Sequence, residues 1–322
     1  MLMKESALGD VHQLILDHGV ETARNRASDK LERQCVDAAF SVLSDEGFNL
    51  AICHSGFALT ALPHRSLKDR VWERSGGKNG EIKLRIESGA TANGDLVGIP
   101  SGAIARLLLI HLSSEAVRNN SRVVELGSSM RASLIRMGIS PGGKSFAMVR
   151  DQARKISLCR LTFYNKGQHS TAISNGSFVR NAVLCNDDGE QMALWNDVVE
   201  LDEVYFKSLI EHPLPLREAA IRELSGRSMA IDIYVFLSYR LHVLEKPVSI
   251  SWPALYAQFG AGFKQKKVFV NSFKEPLALA LAAYPEAKVT ISEAGLVLHP
   301  SESPVPKIQP RAGRLLTGFK RG

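Results

Sequence analysis

Residues 138–145 read GISPGGKS and fit the phosphate-binding pattern G-x-x-x-x-G-K-[ST] at every fixed position. A true phosphate loop lies between a buried strand and a helix, so that backbone N–H groups and the helix N-terminus face the phosphates. The following helix is readable here, but the strand is not. The preceding SSMRASLIRM has a helical period and two arginines, where a central parallel strand would be almost wholly apolar. Pro141 also stands in the cradle and supplies no N–H. The nearest strand-like partner ending in a magnesium-binding aspartate is MAIDIYV, whose Asp232 reads better as a polar interruption of an apolar helix. The glycines are therefore read as a turn between helices, which puts Lys144 at the start of the second helix.

Other chemistry finds less support. The nine histidines are scattered, with none closer than His12 and His18, so the paired ligands and nucleophilic tyrosine of a DNA-nicking centre are not indicated. His64, in ALPHR, reads as a structural loop histidine. No H-E-x-x-H, G-x-S-x-G or two-carboxylate arrangement occurs. The four cysteines (Cys35, Cys53, Cys159, Cys185) lie 18 or more residues apart and read as buried thiols of a reducing cytosol. The expectation is a protein without enzymatic activity, cofactor or metal. The apolar runs IYVFLSY (233–239) and LALALAAY (277–284) are too short to span a bilayer, and no secretory signal is visible, so a cytoplasmic location without a membrane partner is expected.

Charge distribution points to a polyanion. The chain carries a net +7, and residues 128–180 hold nine basic side chains against one acidic, a net of +8. Residues 181–232 reverse this with eleven acidic and four basic, and the tail 301–322 returns to five basic against one acidic. Such an alternation reads as one surface built for a polyanion beside another with a different role.

The elements that would present these charges follow from periodicity. Residues 1–29 read as an arm with a short helix, and 29–47 as a helix ending at Gly47. FALTALPHR (57–65) and EIKLRIES (81–88) alternate as half-buried strands do. From Pro100 the order is helix (101–119), short strand (122–127), helix (128–138), turn, helix (144–161), then a hairpin of 161–165 with 176–185 across the polar loop KGQHSTAISN. This is the order of a winged helix, whose third helix enters a major groove. The order repeats: helix 229–245, capped helix 251–260, turn at Gly260 and Gly262, third helix 263–285, hairpin 287–300. Pro276 is expected to kink or restart that third helix near residue 275. The expected fold class is α+β, with two tandem winged-helix modules after a small α+β N-terminal region. The expected boundaries are 1–97 for the arm and small region, 98–195 for module one, 196–300 for an acidic connector and module two, and 301–322 for a flexible basic tail. Arg150 and Arg154, one turn apart, are the candidates for reading bases, because arginine pairs bidentately with guanine. Lys144, Lys155, Lys166 and Arg180 are candidates for phosphate contacts. Lys264, Lys267, Asn271 and Lys274 hold the corresponding places in module two.

A series of blocks in one order carries a family resemblance: ALPHRSL, GIPSGAIARLLLIHLSSEA, ELGSSMRASLIRMGISPGGKSFAMVRDQARKISLCRLTF, the long run from HPLPLREAAIRELSGRSM to PALYAQFG, and EAKVTISEAGLVLHPS. Over roughly residues 57–300 the chain resembles plasmid replication initiators of the RepA type. The resemblance implies binding to repeated sites (iterons) in double-stranded plasmid origin DNA, local melting, recruitment of the host replicative helicase with help from the host initiator protein, and copy-number control. It also allows a homodimer. A plasmid-borne transcriptional repressor of the same fold is the alternative. Two departures stand out: Ser101 replaces an expected aromatic, and Pro276 interrupts a helix expected to be continuous.

Overall fold

The computed structural model describes residues 10–47, 49–77, 80–125, 130–167, 170–184 and 195–305. The first helix, α1 (Val11–Arg26), is capped by Asp10 and kinked at Gly19, where φ is +78°. It is not a loose arm: His12 Nε2 lies 2.8 Å from the Ala282 carbonyl oxygen, and Leu14, Ile15 and Ala23 are buried. Helix α2 (Lys30–Leu43) begins at Asp29, whose carboxylate accepts from Glu32 N, while Glu32 accepts in turn from Ser28.

Strand β1 (Leu50–His54) leads to a single turn, α3 (Gly56–Leu59), and the segment expected as a strand at 57–65 continues as coil. Strands β2 (Val71–Gly76) and β3 (Ile82–Glu87) pair antiparallel, and a small hairpin follows, β4 (Gly89–Ala90) with β5 (Leu96–Gly98).

Helix α4 (Gly102–Arg118) is buried along most of its length. It is followed by β6 (Val123–Glu125), α5 (Met130–Arg136), α6 (Gly143–Leu158), β7 (Arg160–Lys166), β8 (Thr171–Gly176), β9 (Val179–Leu184) and β10 (Trp195–Leu201). The expected hairpin of 161–165 with 176–185 does not form. Instead β7 pairs with β8 and with β3, closing a sheet of order β2–β3–β7–β8. The strand β9 pairs with β10, which also pairs with β6, giving the order β6–β10–β9. The polar TAISNG of β8 is an edge strand held by backbone pairing, so its sequence lacks the apolar alternation that marks a strand.

The acidic stretch 196–213 is not a bare connector. It carries most of β10, with Val199 and Leu201 buried, and then α7 (Glu203–Glu211), capped by Asp202. Strand β11 (Pro213–Arg217) pairs with β1, which stitches the N-terminal region to the middle of the chain, and α8 (Glu218–Glu223) follows.

The second half is built from α9 (Ser228–Arg240), β12 (Val248–Ser251), α10 (Trp252–Phe259), α11 (Lys266–Ala282), β13 (Val289–Ile291) and β14 (Gly295–Leu298), with sheet order β12–β14–β13. Ser251 caps α10, with a proline in the first turn where its missing N–H leaves no bond unmade. Helix α11 runs through Pro276 without restarting. Phe269, Phe273 and Leu277 fix it to the core, with Phe269 and Phe273 in ring contact at 5.2 Å, so tertiary packing overrides the local penalty of the proline. The architecture is α+β. Its halves share one order of elements, α4–β6–α5–α6–β9–β10 and α9–β12–α10–α11–β13–β14, with the β7–β8 pair inserted in the first.

Candidate nucleic-acid interface

The GISPGGKS segment joins two helices. Gly138 ends α5 in the left-handed region (φ +71°), and Ile139 N bonds back to Leu134 O at 2.8 Å, a Schellman closure that only a residue tolerant of positive φ completes without strain. The Gly138 carbonyl accepts from Ser225 Oγ at 2.8 Å, anchoring the turn beside α8. Gly142 is the extended N-cap of α6, and the Ser145 hydroxyl donates to Ser140 O and Gly142 O. The serine a magnesium ion would need is thus engaged in the turn.

Helix α6 buries Val149, Ala153 and Ile156, the three- and four-residue stripe legible in its sequence. Gln152 is buried with them and accepts from Ser101 N at 2.8 Å, which ties α6 to the start of α4. On the outer face Lys144 and Arg154 are exposed, and neither has an ion-pair partner among the described residues. Arg150 is half-buried, its Nε enclosed and without an acceptor. Of the two arginines expected to read bases, Arg154 stands free and Arg150 is partly turned in.

Lys155 departs from expectation. It is 8% exposed, and its ammonium donates to Asp151 Oδ2 at 2.7 Å. The β4–β5 hairpin lies over it, close enough that a Cβ on Gly98 would sit 3.4 Å from Lys155 Cε. Its charge is neutralised within the helix and shielded, which removes it from the set of phosphate contacts. Lys166 and Arg180 are exposed, but they lie on different sheets, Lys166 at the end of β7 and Arg180 on β9, rather than on one wing. Arg131 on α5, not singled out from the sequence, is exposed as well.

In the second half Lys264, just before α11, and Lys267 and Asn271 along its start are exposed, and Lys274 is half-buried. Lys266 adds a further exposed cation there.

Other cations are held by carboxylates: Lys83 and Arg85 on Glu73, Arg122 on Glu200, Arg217 on Glu286, Arg227 on Glu275. The most buried of these pairs is internal. Arg106 of α4 donates from Nε to Asp232 Oδ1 at 2.6 Å and from Nη2 to Asp232 Oδ2 at 2.7 Å. The same guanidinium reaches the carbonyls of Leu62, Pro63 and Gly102. Asp232 is therefore no mere interruption of α9; it fastens the first helix of one half to the first helix of the other. His64 is packed beside them, 3.1 Å from Ser228 Oγ, and burial pushes its pKa down to about 4, so it stays neutral. A single-residue reading missed this network because its members lie 42 and 126 residues apart.

Cys35, Cys53 and Cys159 are buried free thiols, and burial raises the pKa of Cys35 and Cys53 to about 12. Cys185 lies outside the described residues. Among the described residues no group of three or more His, Cys, Asp or Glu is placed to hold a metal ion, and no helix is long and apolar enough to cross a membrane.

No curated protein matches the chain. Its fold is similar to that in a crystal structure of domains 2 and 3 of RctB, at a TM-score of 0.50 with 10% identity, covering 78% of this chain and 99% of that one. A second crystal structure of RctB domains 2–3 gives a TM-score of 0.46 at 10% identity, covering 75% and 93%. The sequence itself is similar, over residues 99–253, to the family model of the plasmid encoded RepA protein.

Proposed function

We propose that the protein initiates plasmid replication by binding repeated sequences in its origin through two winged-helix modules. In each module the third helix, α6 or α11, lies in a major groove. The observation that carries this reading is the set of exposed cations with no carboxylate partner among the described residues, borne by α6, β9 and the start of α11 in two halves of one topology. The sheet orders β6–β10–β9 and β12–β14–β13, each beside two successive helices, support the modules, and the family of residues 99–253 supports the role. In this reading Lys144, Lys166, Arg180, Lys264 and Lys267 meet phosphates. Arg154, with Arg150 beside it, reads bases in one groove, and Asn271 and Lys274 read them in the other. Origin melting, recruitment of the host helicase and initiator, and copy control belong to the same proposal, which the likeness of residues 99–253 to the RepA family model supports. The segment 138–145 acts as the turn of a helix-turn-helix, not as a nucleotide site.

The test is fluorescence anisotropy against duplexes tiled across the plasmid origin. Tight binding to one repeated tile is expected. Lys144→Ala should reduce the slope of log K against log salt by about 0.9. Arg154→Ala should erase about 1–3 kcal/mol of preference for the repeat. Equal binding to every tile, unchanged by either substitution, would refute the reading, and permanganate reactivity of a supercoiled origin on addition of the protein separates an initiator from a repressor.

A further inference from the structure

A cleft of about 1010 Å³ opens between β2 on one side and β12, α10 and the β13–β14 turn on the other. Arg74, on β2 opposite Leu84, lines it. Arg74 is only 7% exposed, yet its Nε is buried with no hydrogen-bond partner, and no carboxylate is paired with its guanidinium among the described residues. A buried cation left in this state is costly, and native structures supply it with an anion or with polar partners.

The surrounding charges do not supply one. Asp232 is held by both arms of Arg106, and His64 is neutral. The buried cluster thus holds two guanidinium charges against one carboxylate. Burial, with Arg106 close by, brings the Arg74 pKa down to about 10, against the opposing pull of Asp232. Of the carboxylates that line the cleft, Glu73 takes Lys83 at 2.8 Å and Arg85 at 2.9 Å, and no ion pair joins either Glu73 or Glu81 to Arg74 among the described residues. A second guanidinium, Arg240 at the end of α9, lines the same cleft and has no ion-pair partner among the described residues. Ser75 and Ser249 add exposed hydroxyls.

We propose that this cleft is a phosphate-binding site, in which Arg74 is the anchoring cation and Arg240 the second contact. A buried guanidinium whose Nε lacks an acceptor, and a second guanidinium lining the same cleft, supply charge-assisted donors of the kind that phosphate oxygens accept. The cleft is far larger than one such group, so the phosphate enters as part of a larger anion or with water around it. Its source is either the DNA backbone, which rests on the DNA-binding reading above, or a free phosphate compound, which does not.

The experiment compares the full chain with Arg74→Met, Arg74→Lys and Arg240→Gln at matched ionic strength. One arm titrates inorganic phosphate and pyrophosphate while following the melting temperature. The other measures DNA affinity against salt. If the source is free phosphate, pyrophosphate raises the wild-type melting temperature saturably, Arg74→Met weakens its affinity by about tenfold or more, and Arg74→Lys recovers part of it. If the source is DNA, the wild-type salt slope exceeds that of Arg74→Met by about 0.9 while free phosphate has no effect. Arg240→Gln leaves the Arg106–Asp232 pair intact and must show the same loss in weaker form, which keeps the test valid should Arg74→Met fail to fold. Should the wild type bind no DNA at all, the function reading fails and the free-phosphate arm alone decides. The proposal is overturned if no phosphate response and no slope change depend on Arg74 or Arg240, or if an acidic peptide such as polyglutamate stabilises the wild type while phosphate and DNA do not.

Discussion

Replacing Arg106 by methionine tests the joint between the two halves. The substitution strips Asp232 of both its guanidinium donors, at 2.6 and 2.7 Å, in a site where the two side chains are 5% and 8% exposed. The carbonyls of Leu62, Pro63 and Gly102 lose their donor at the same time. Breaking a buried ion pair by removing one partner costs about 3–5 kcal/mol, because the remaining charge stays buried without compensation. Asp232→Leu should fall in the same range. It leaves Arg106 with carbonyls alone and removes the nearest carboxylate from Arg74. The double variant, by contrast, replaces both charges with apolar groups, so its loss should be well below the sum of the singles. Arg74 keeps it from full recovery, since that cation still lacks its counter-charge. Urea unfolding of the four proteins gives the coupling energy, expected at about 2–3 kcal/mol, the upper part of the range for contacting residues. Because Arg106 lies on α4 and Asp232 on α9, the proposed two-module reading further predicts that the singles lose affinity for a duplex spanning two repeats more than for one carrying a single site. Single losses below about 1 kcal/mol, or additivity within about 0.5 kcal/mol, would show that the pair fastens nothing.

Two further outcomes follow from the geometry. His54 and His64 are both pushed from 6.5 down to about 4, chiefly by burial. Their neutral rings are the native form, so the unfolded chain binds more protons between those values. Stability should be level above pH 6.5 and fall as the pH drops towards 4, by up to about 3 kcal/mol per histidine; a urea midpoint unchanged from pH 7 to 4.5 would contradict this. The glycines of residues 138–145 should also differ in tolerance. Gly138→Ala should lose about 1–3 kcal/mol, since φ is +71° and a Cβ there would sit 2.6 Å from Arg222 O. Gly143→Ala, with no neighbour within 4 Å at the start of α6, should be neutral or gain about 0.4–1 kcal/mol by thermal melting.

What could be read from the sequence divides along physical lines. Helices α4, α9 and α6 were legible because their apolar stripes are long and their ends are punctuated by glycine, proline or a cap. Strands β1 and β11 were not. Each has five residues, β11 contains Pro213 and Pro215, and each is defined by a partner more than 150 residues away. FALTALPHR alternates like a strand, yet its residues turn over at α3, where Thr60 Oγ1 bonds Gly56 O. At the interface, the exposure of Lys144, Arg154 and Lys267 followed from helical period alone. The burial of Lys155 did not, because it depends on a hairpin some sixty residues earlier folding across α6.

The acidic block between residues 181 and 232 takes on a different meaning once its side chains are placed. Asp202 caps α7, Glu200 and Glu203 lie on Arg122, and Asp232 holds Arg106. These carboxylates act within the fold and partner cations outside the 128–180 block. Within that block Arg136 reaches Glu115 and Lys155 reaches Asp151, while Lys144, Arg154, Lys166 and Arg180 meet no carboxylate among the described residues. A net charge of +7 therefore understates the positive charge of the 128–180 block, most of whose basic side chains have no carboxylate partner among the described residues. Like charges left unpaired repel one another, and that repulsion is relieved by salt or, more effectively, by a polyanion that brings its own ordered negative charges. On the proposed reading, the same separation that costs the free protein some stability favours binding to a polyanion such as DNA.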